Sequence, residues 1–103
     1  MSLIKWNEEN GQVRLGVPSD LDLPMAAPLV DSLRHAFNVG ESVVVLADAV
    51  ERVSSACIQA LIVASRYSVE SGQKFKVLSP SASLVEACAD LGVADWLKQW
   101  SQT

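Results

Sequence analysis

One histidine, two cysteines and five glycines among 103 residues leave little material for catalysis. His35 stands alone in the stretch DSLRHAF, so a Ser-His-Asp constellation has a single base to recruit, and a metal has no ligand cluster. Cys57 and Cys88 form no CxxC pair, which suits a reducing cytoplasm better than a disulfide scaffold. The glycines are spread singly, so there is no glycine-rich phosphate loop. No apolar run approaches the ~20 residues of a membrane span, and MSLIKWNEEN lacks the apolar segment of a secretory signal. The eight Lys and Arg are scattered in a chain of net charge −4, with no stripe to follow a phosphate backbone. These shortages point to a cytoplasmic, non-enzymatic protein without cofactor, membrane insertion or nucleic-acid partner.

What is present is apolar. Half the residues are hydrophobic and only 19% are charged, which predicts a core and a partly apolar surface that meets a partner. The length fits one domain, residues 1–103, with no repeat, low-complexity segment or linker. Asn10-Gly11 tolerates positive φ on both residues and predicts a hairpin between strands near Leu3–Asn7 and Gln12–Val17. Met25, Leu29, Leu33 and Phe37 recur at helical spacing after Pro24, a residue suited to a first turn. Val43–Leu46 is a continuous, mostly β-branched run, predicting an inner strand covered on both faces. SSACIQALIVASRYSVESG follows as a helix with Ile58, Leu61 and Ile62 on its buried face and Gly72 ending it. KFKVL reads as a fourth strand. In SASLVEACADLG, Ser83 and Glu86 have capping-box spacing, Ser81 is a second candidate cap, and Leu84, Cys88 and Leu91 mark the buried stripe. ADWLKQW is a short terminal turn or helix, and Trp96 and Trp100 either cover the bottom of the sheet or form an exposed anchor for a partner. The order predicts an α/β fold: a four-stranded mixed sheet with an N-terminal antiparallel hairpin, three main helices and a short C-terminal helix. Val44, Leu46, Ile58, Leu61, Ile62 and Val77 are its expected core.

The stretch VERVSSACIQALIVASR, from Val50 to Arg66, holds the candidate site. Serine is a preferred N-cap, and one of Ser54 and Ser55 is expected to serve as one. A strand-to-helix loop at the carboxyl end of a parallel strand is also where α/β proteins place their sites. A phosphate on a serine there meets a helix N-terminus and adds close to two negative charges. Cys57, near the same terminus, reads as a small core-facing residue more readily than as an activated thiol.

The chain resembles the STAS family, the domains of sulphate transporters and anti-sigma factor antagonists. The resemblance runs through the hairpin, the helix from Pro24, VVVLADAVERVSSACIQAL, GQKFKVLSPSASLVEACADLG and the short C-terminal end. The family's mark is an Asp-Ser-Ser-Gly-Leu-like turn opening a helix. Ser54 falls at its Asp, Ser55 at the phosphorylated serine, Ala56 at the next Ser or Thr, Cys57 at the Gly and Ile58 at the Leu. The acidic residue before the serine is therefore absent, and Leu46 stands where many relatives carry a third-strand aspartate, with Asp48 two residues on. Gln59 is similar to the Gln of small stand-alone bacterial STAS proteins. The resemblance implies one STAS-like domain that binds protein partners through Asp48, Arg52, Ser54, Ser55, Ala56, Cys57 and Gln59, with Ser55 the candidate phosphorylation site. The implied partner is an anti-sigma-type serine kinase. Alternatively the domain is a constitutive subunit of a larger complex, a signalling array or a lipid-transport ABC system.

Overall fold

A computed structural model describes residues 4–102. Strands β1 (Lys5–Glu9) and β2 (Gln12–Gly16) pair antiparallel, and Leu3, the expected first residue of the hairpin, lies outside the described residues. Asn10 at φ 52° and Gly11 at φ 83° make the turn, as the Asn-Gly pair predicts. A two-residue strand, β3 (Asp20–Leu21), and a 3-10 turn at Leu23–Met25 lead into α1 (Ala26–Val39). Pro24 sits in that turn, where its missing N–H leaves no donor unpaired. Then come β4 (Ser42–Leu46), β5 (Arg52–Val53), α2 (Ser55–Ser71), β6 (Lys74–Leu78), α3 (Ala82–Asp90), α4 (Ala94–Trp100) and β7 (Ser101–Gln102).

The main sheet runs in the order β1-β2-β4-β6-β7, parallel throughout except for the β1-β2 pair. Four of these strands make the expected mixed sheet, and the short β7 extends its edge. A separate two-stranded parallel ribbon joins β3 to β5.

Strand alternation divides the sheet into two unlike faces. Val13, Leu15, Val43, Val45, Phe75 and Val77 are buried in one cluster with Leu29, Leu33, Phe37, Ile58, Leu61, Leu84 and Leu97 from the helices. The alternate residues belong to a face that α1, α2 and α4 do not cover. The expectation of an inner strand covered on both faces holds for Val43–Val45, which are at most 1% exposed. Val44 is still only 1% exposed, but it lies outside the core cluster, flanked in register by Arg14 and Lys76. Leu46, expected in the core, is half-buried on the same open face. Leu91 is likewise corrected: it caps α3 after the last buried turn and is 44% exposed, leaving Leu84 and Cys88 as the stripe.

Burial pushes the Cys88 thiol above its ordinary pKa, consistent with its place in the apolar stripe. Trp100 packs against Phe75 at 6.1 Å between ring centroids, and Trp96 Nε1 donates to Ser65 Oγ at 2.9 Å, so this pair ties α4 over the sheet and α2. Gln73 fastens the other end of the molecule. Its Nε2 donates to the carbonyls of Phe37 at 2.7 Å and Gly40 at 2.8 Å, supplying partners at the C-terminus of α1.

Gly40 is buried where α1 meets the hairpin turn. A Cβ there would lie 2.7 Å from the Gly11 carbonyl oxygen and 2.8 Å from Val13 Cγ2. That oxygen already accepts from Glu41 N at 2.8 Å and Ser42 N at 3.2 Å, so it is held in place. Gly40→Ala is expected to destabilise the fold by ~1–3 kcal/mol, read as a lowered midpoint in urea titration. An unchanged midpoint would mean that the turn swings aside freely.

Candidate functional site

The carboxyl ends of the parallel strands place the candidate site. β4 delivers the chain to a loop containing Asp48, and β5 then brings it alongside β3. The ribbon is closed by backbone bonds. Glu51 N and Arg52 N donate to the Ser19 carbonyl at 2.8 and 3.0 Å, and Ser54 N donates to the Leu21 carbonyl at 2.7 Å. These contacts fix the point at which α2 begins.

The serine pair divides its roles. Ser54 is the N-cap, with extended backbone, and its Oγ accepts from Cys57 N at 3.3 Å. Ser55 is the first residue of α2 and is exposed. Its hydroxyl makes no hydrogen bond to the other described residues. Ser54→Ala is accordingly expected to cost ~1 kcal/mol of stability, whereas Ser55→Ala should shift it by less than ~0.5 kcal/mol. Paired thermal melts decide this, and equal losses from the two variants would contradict the assignment of the cap.

The other predicted residues fall in different places. Gln59 is exposed one turn along the helix from Ser55, so the two share a face. Ala56 is half-buried beside them, and Asp48 and Arg52 are exposed at the same end of the sheet. Arg52 approaches Asp20 at 3.9 Å, a solvent-exposed pair worth little energetically. Cys57 does not belong to the surface. It is fully buried, and its Sγ lies 3.4 Å from the Asp22 carbonyl. Its inclusion among contact residues is corrected for a simple reason: it points beneath the first turn of α2, toward the core.

The structure adds residues that the linear sequence does not bring forward. Asp20 and Asp22 are more than thirty positions from the serines, yet the β3-β5 ribbon and the Cys57–Asp22 contact set them beside the start of α2. The exposed face of α2 also continues from Ser55 and Gln59 to Val63, 60% exposed, and Tyr67, 47% exposed. Between α1 and α2 runs a groove of about 580 Å³, lined by Val30, Phe37, Gln59, Val63 and Tyr67 among others. The helix is apolar on several sides, so its sequence does not show which apolar residues stay uncovered.

His35 packs at a tilt against Trp6 of the edge strand, 4.8 Å between centroids, rather than against either serine. Among the described residues, no group of His, Cys, Asp and Glu is arranged to hold a metal, and no helix is long and apolar enough to cross a membrane. Ser55 offers an exposed hydroxyl beside the free N–H donors and partial positive charge of a helix N-terminus.

No family model and no curated protein sequence matches the chain. Solved structures do. The anti-sigma factor antagonist SpoIIAA in its unphosphorylated form superposes with a TM-score of 0.78 at 12% identity, over 96% of this chain and 85% of that one. The Bacillus cell fate determinant SpoIIAA in its phosphorylated form gives 0.75 at 12% identity, over 96% and 88%. An anti-sigma-factor antagonist (STAS) domain protein from Planctomyces limnophilus gives 0.76 at 18% identity, over 95% and 86%. The structural neighbours are thus STAS and anti-sigma factor antagonist proteins. At these identities the likeness is one of fold, and the STAS resemblance read from the sequence holds at that level.

Proposed function

We propose that the chain is a single cytoplasmic STAS domain, residues 1–103, acting without catalysis or cofactor as a protein-binding module of bacterial signalling, switched by phosphorylation of Ser55. One observation carries this reading: Ser55 is exposed at the first position of α2 with its hydroxyl uncommitted, while Ser54 alone caps the helix. A kinase can take Ser55 without unmaking the cap. The phosphate then sits at a helix N-terminus, which favours anions, and changes the charge of a contact surface by nearly two units. The contact surface comprises Asp48, Arg52, Ser55, Ala56 and Gln59, with Ser54 and Cys57 supporting the turn beneath it. Asp20 and Asp22 supply in space the acidity that Ser54 omits in sequence. That SpoIIAA has been solved in phosphorylated and unphosphorylated forms supports the same reading.

A serine kinase of the anti-sigma type is the partner this reading implies. A second reading makes the domain a constitutive subunit of a signalling array or lipid transporter, and the serine at position 54 in place of an acid favours it. Affinity capture from the native cell with mass spectrometry separates the two. Recovery of a serine kinase together with phosphoserine at Ser55 supports the switch. Stoichiometric recovery of transporter or array subunits with unmodified Ser55 overturns it.

A further inference from the structure

Two alanines one turn apart on α2, Ala60 and Ala64, face the groove between α1 and α2 and are 9% and 5% exposed. Leu33 and Phe37 line it from α1, and Val63 and Tyr67 add apolar surface that is 60% and 47% exposed. Tyr67 meets Phe37 edge to face at 5.0 Å, which bridges the two helices. The lining has one charged member, Arg34. Arg34 is exposed and makes no ion pair or hydrogen bond with another described residue. A mostly apolar cleft with a few polar groups and a volume of about 300–1,000 Å³ is the ordinary form of a small-molecule site, and this groove holds about 580 Å³.

We propose that the groove binds a small amphipathic anion, an aliphatic chain ending in one carboxylate, with its tail against Ala60, Ala64 and Phe37 and its charge at Arg34. Three observations select that occupant. The lining is apolar enough to take a hydrocarbon tail out of water. A single unpaired cation suits a single negative charge; an ammonium is repelled by it, and a polyphosphate finds no second cation among the lining residues. The third observation is size. α2 lines the groove from Gln59 to Tyr67, about 12 Å of helix axis. A partner helix of that length fills about 900–1,400 Å³, so it can only rest on the rim, whereas a single hydrocarbon chain fits inside. The inference goes beyond the Ser55 reading and stands without it, although Gln59 belongs to both surfaces, so a bound molecule borders the partner-binding patch.

The test is a titration of the isotope-labelled full chain with decanoate below its micellar concentration, followed by amide chemical shifts. Decanol, decylamine, acetate and a peptide rich in Glu and Leu serve as the other arms. The expected result is one saturable set of shifts at Leu33, Ala60, Val63, Ala64 and Tyr67, with decanoate binding more tightly than decylamine. Arg34→Gln should weaken decanoate roughly fivefold or more and leave decanol unchanged. Val63→Glu should weaken decanoate and favour decylamine; both replaced side chains are exposed, so the fold is expected to survive either change. Shifts that do not saturate or that lie outside α1 and α2, equal binding of decylamine, acetate reproducing the decanoate shifts, or decanoate affinity untouched by Arg34→Gln would each overturn the proposal. So would occupation of the groove by the peptide and not by decanoate.

Discussion

Replacing Leu61 by alanine is expected to cost ~2–5 kcal/mol, the largest stability loss from a single truncation in α2. Leu61 is 1% exposed and lies in the cluster where α2 meets the sheet, between Ile58 at 1% and Ile62 at 9%. Removing its three outer carbons forfeits their transfer energy and leaves a cavity that a sheet on one side and a helix backbone on the other cannot readily close. A domain of this size has ~5–15 kcal/mol in total, so a third or more of its stability is at stake. The measurement is a denaturant titration in which the midpoint falls while the slope is unchanged. Each kcal/mol lost should lower Tm by roughly 4–8 °C. Val63→Ala is the internal control. Val63 is two positions along the same helix and 60% exposed, and its truncation should stay within ~0.5 kcal/mol. A loss below ~1 kcal/mol for Leu61 would mean that the packed face of α2 is not the one described.

That face was legible in the sequence because Ile58, Leu61 and Ile62 recur at helical spacing and nothing polar interrupts them. The hairpin was legible for a similar local reason, since Asn10-Gly11 meets a specific dihedral requirement. The cover of β4 on both faces was legible from an apolar run, Val43–Val45 being at most 1% exposed, although Leu46 at its end is only half-buried. Such a run reports that every side chain avoids water, and says nothing about what does the covering. The site divides in the same way. Position and exposure of Ser55 follow from local cap chemistry. The approach of Asp20 and Asp22 depends on pairing between two-residue strands, and strands so short have no periodicity to read. Nor does helical spacing reveal that Cys57 points inward, because a small residue suits either side of a first turn.

Ser55→Asp is expected to weaken partner binding roughly tenfold or more while leaving the fold almost unchanged. The two effects separate because Ser55 is not the cap. Ser54 keeps its bond to Cys57 N, and an aspartate at the first helical position interacts favourably with the helix dipole. Tm should therefore hold or rise slightly. In the complex, however, the carboxylate must be desolvated within a patch that includes Ala56 and Gln59, and it adds to the charge of Asp20 and Asp22 nearby. The measurement is calorimetric titration of the captured partner against the parent chain, Ser55→Ala and Ser55→Asp. Ser55→Ala should retain binding, since it removes a hydroxyl that makes no hydrogen bond to the other described residues. If Ser55→Asp binds as tightly as the parent, the switch fails and the constitutive-subunit reading takes its place.

The strand edges give the sheet a resistance to aggregation. β1 is the outer strand on one side, and all five of its residues are exposed, Lys5, Glu8 and Glu9 among them. On the other side the outermost strand is β7, two residues long among the described residues. Charge blocks the first edge and brevity blocks the second, the two devices by which open sheets avoid recruiting foreign strands. Unpaired backbone groups are thus a poor handle for other chains, and β-augmentation is a disfavoured mode of assembly. Contacts with other chains are left to side chains, where a single substitution has leverage that it would lack in a contact made by backbone hydrogen bonds.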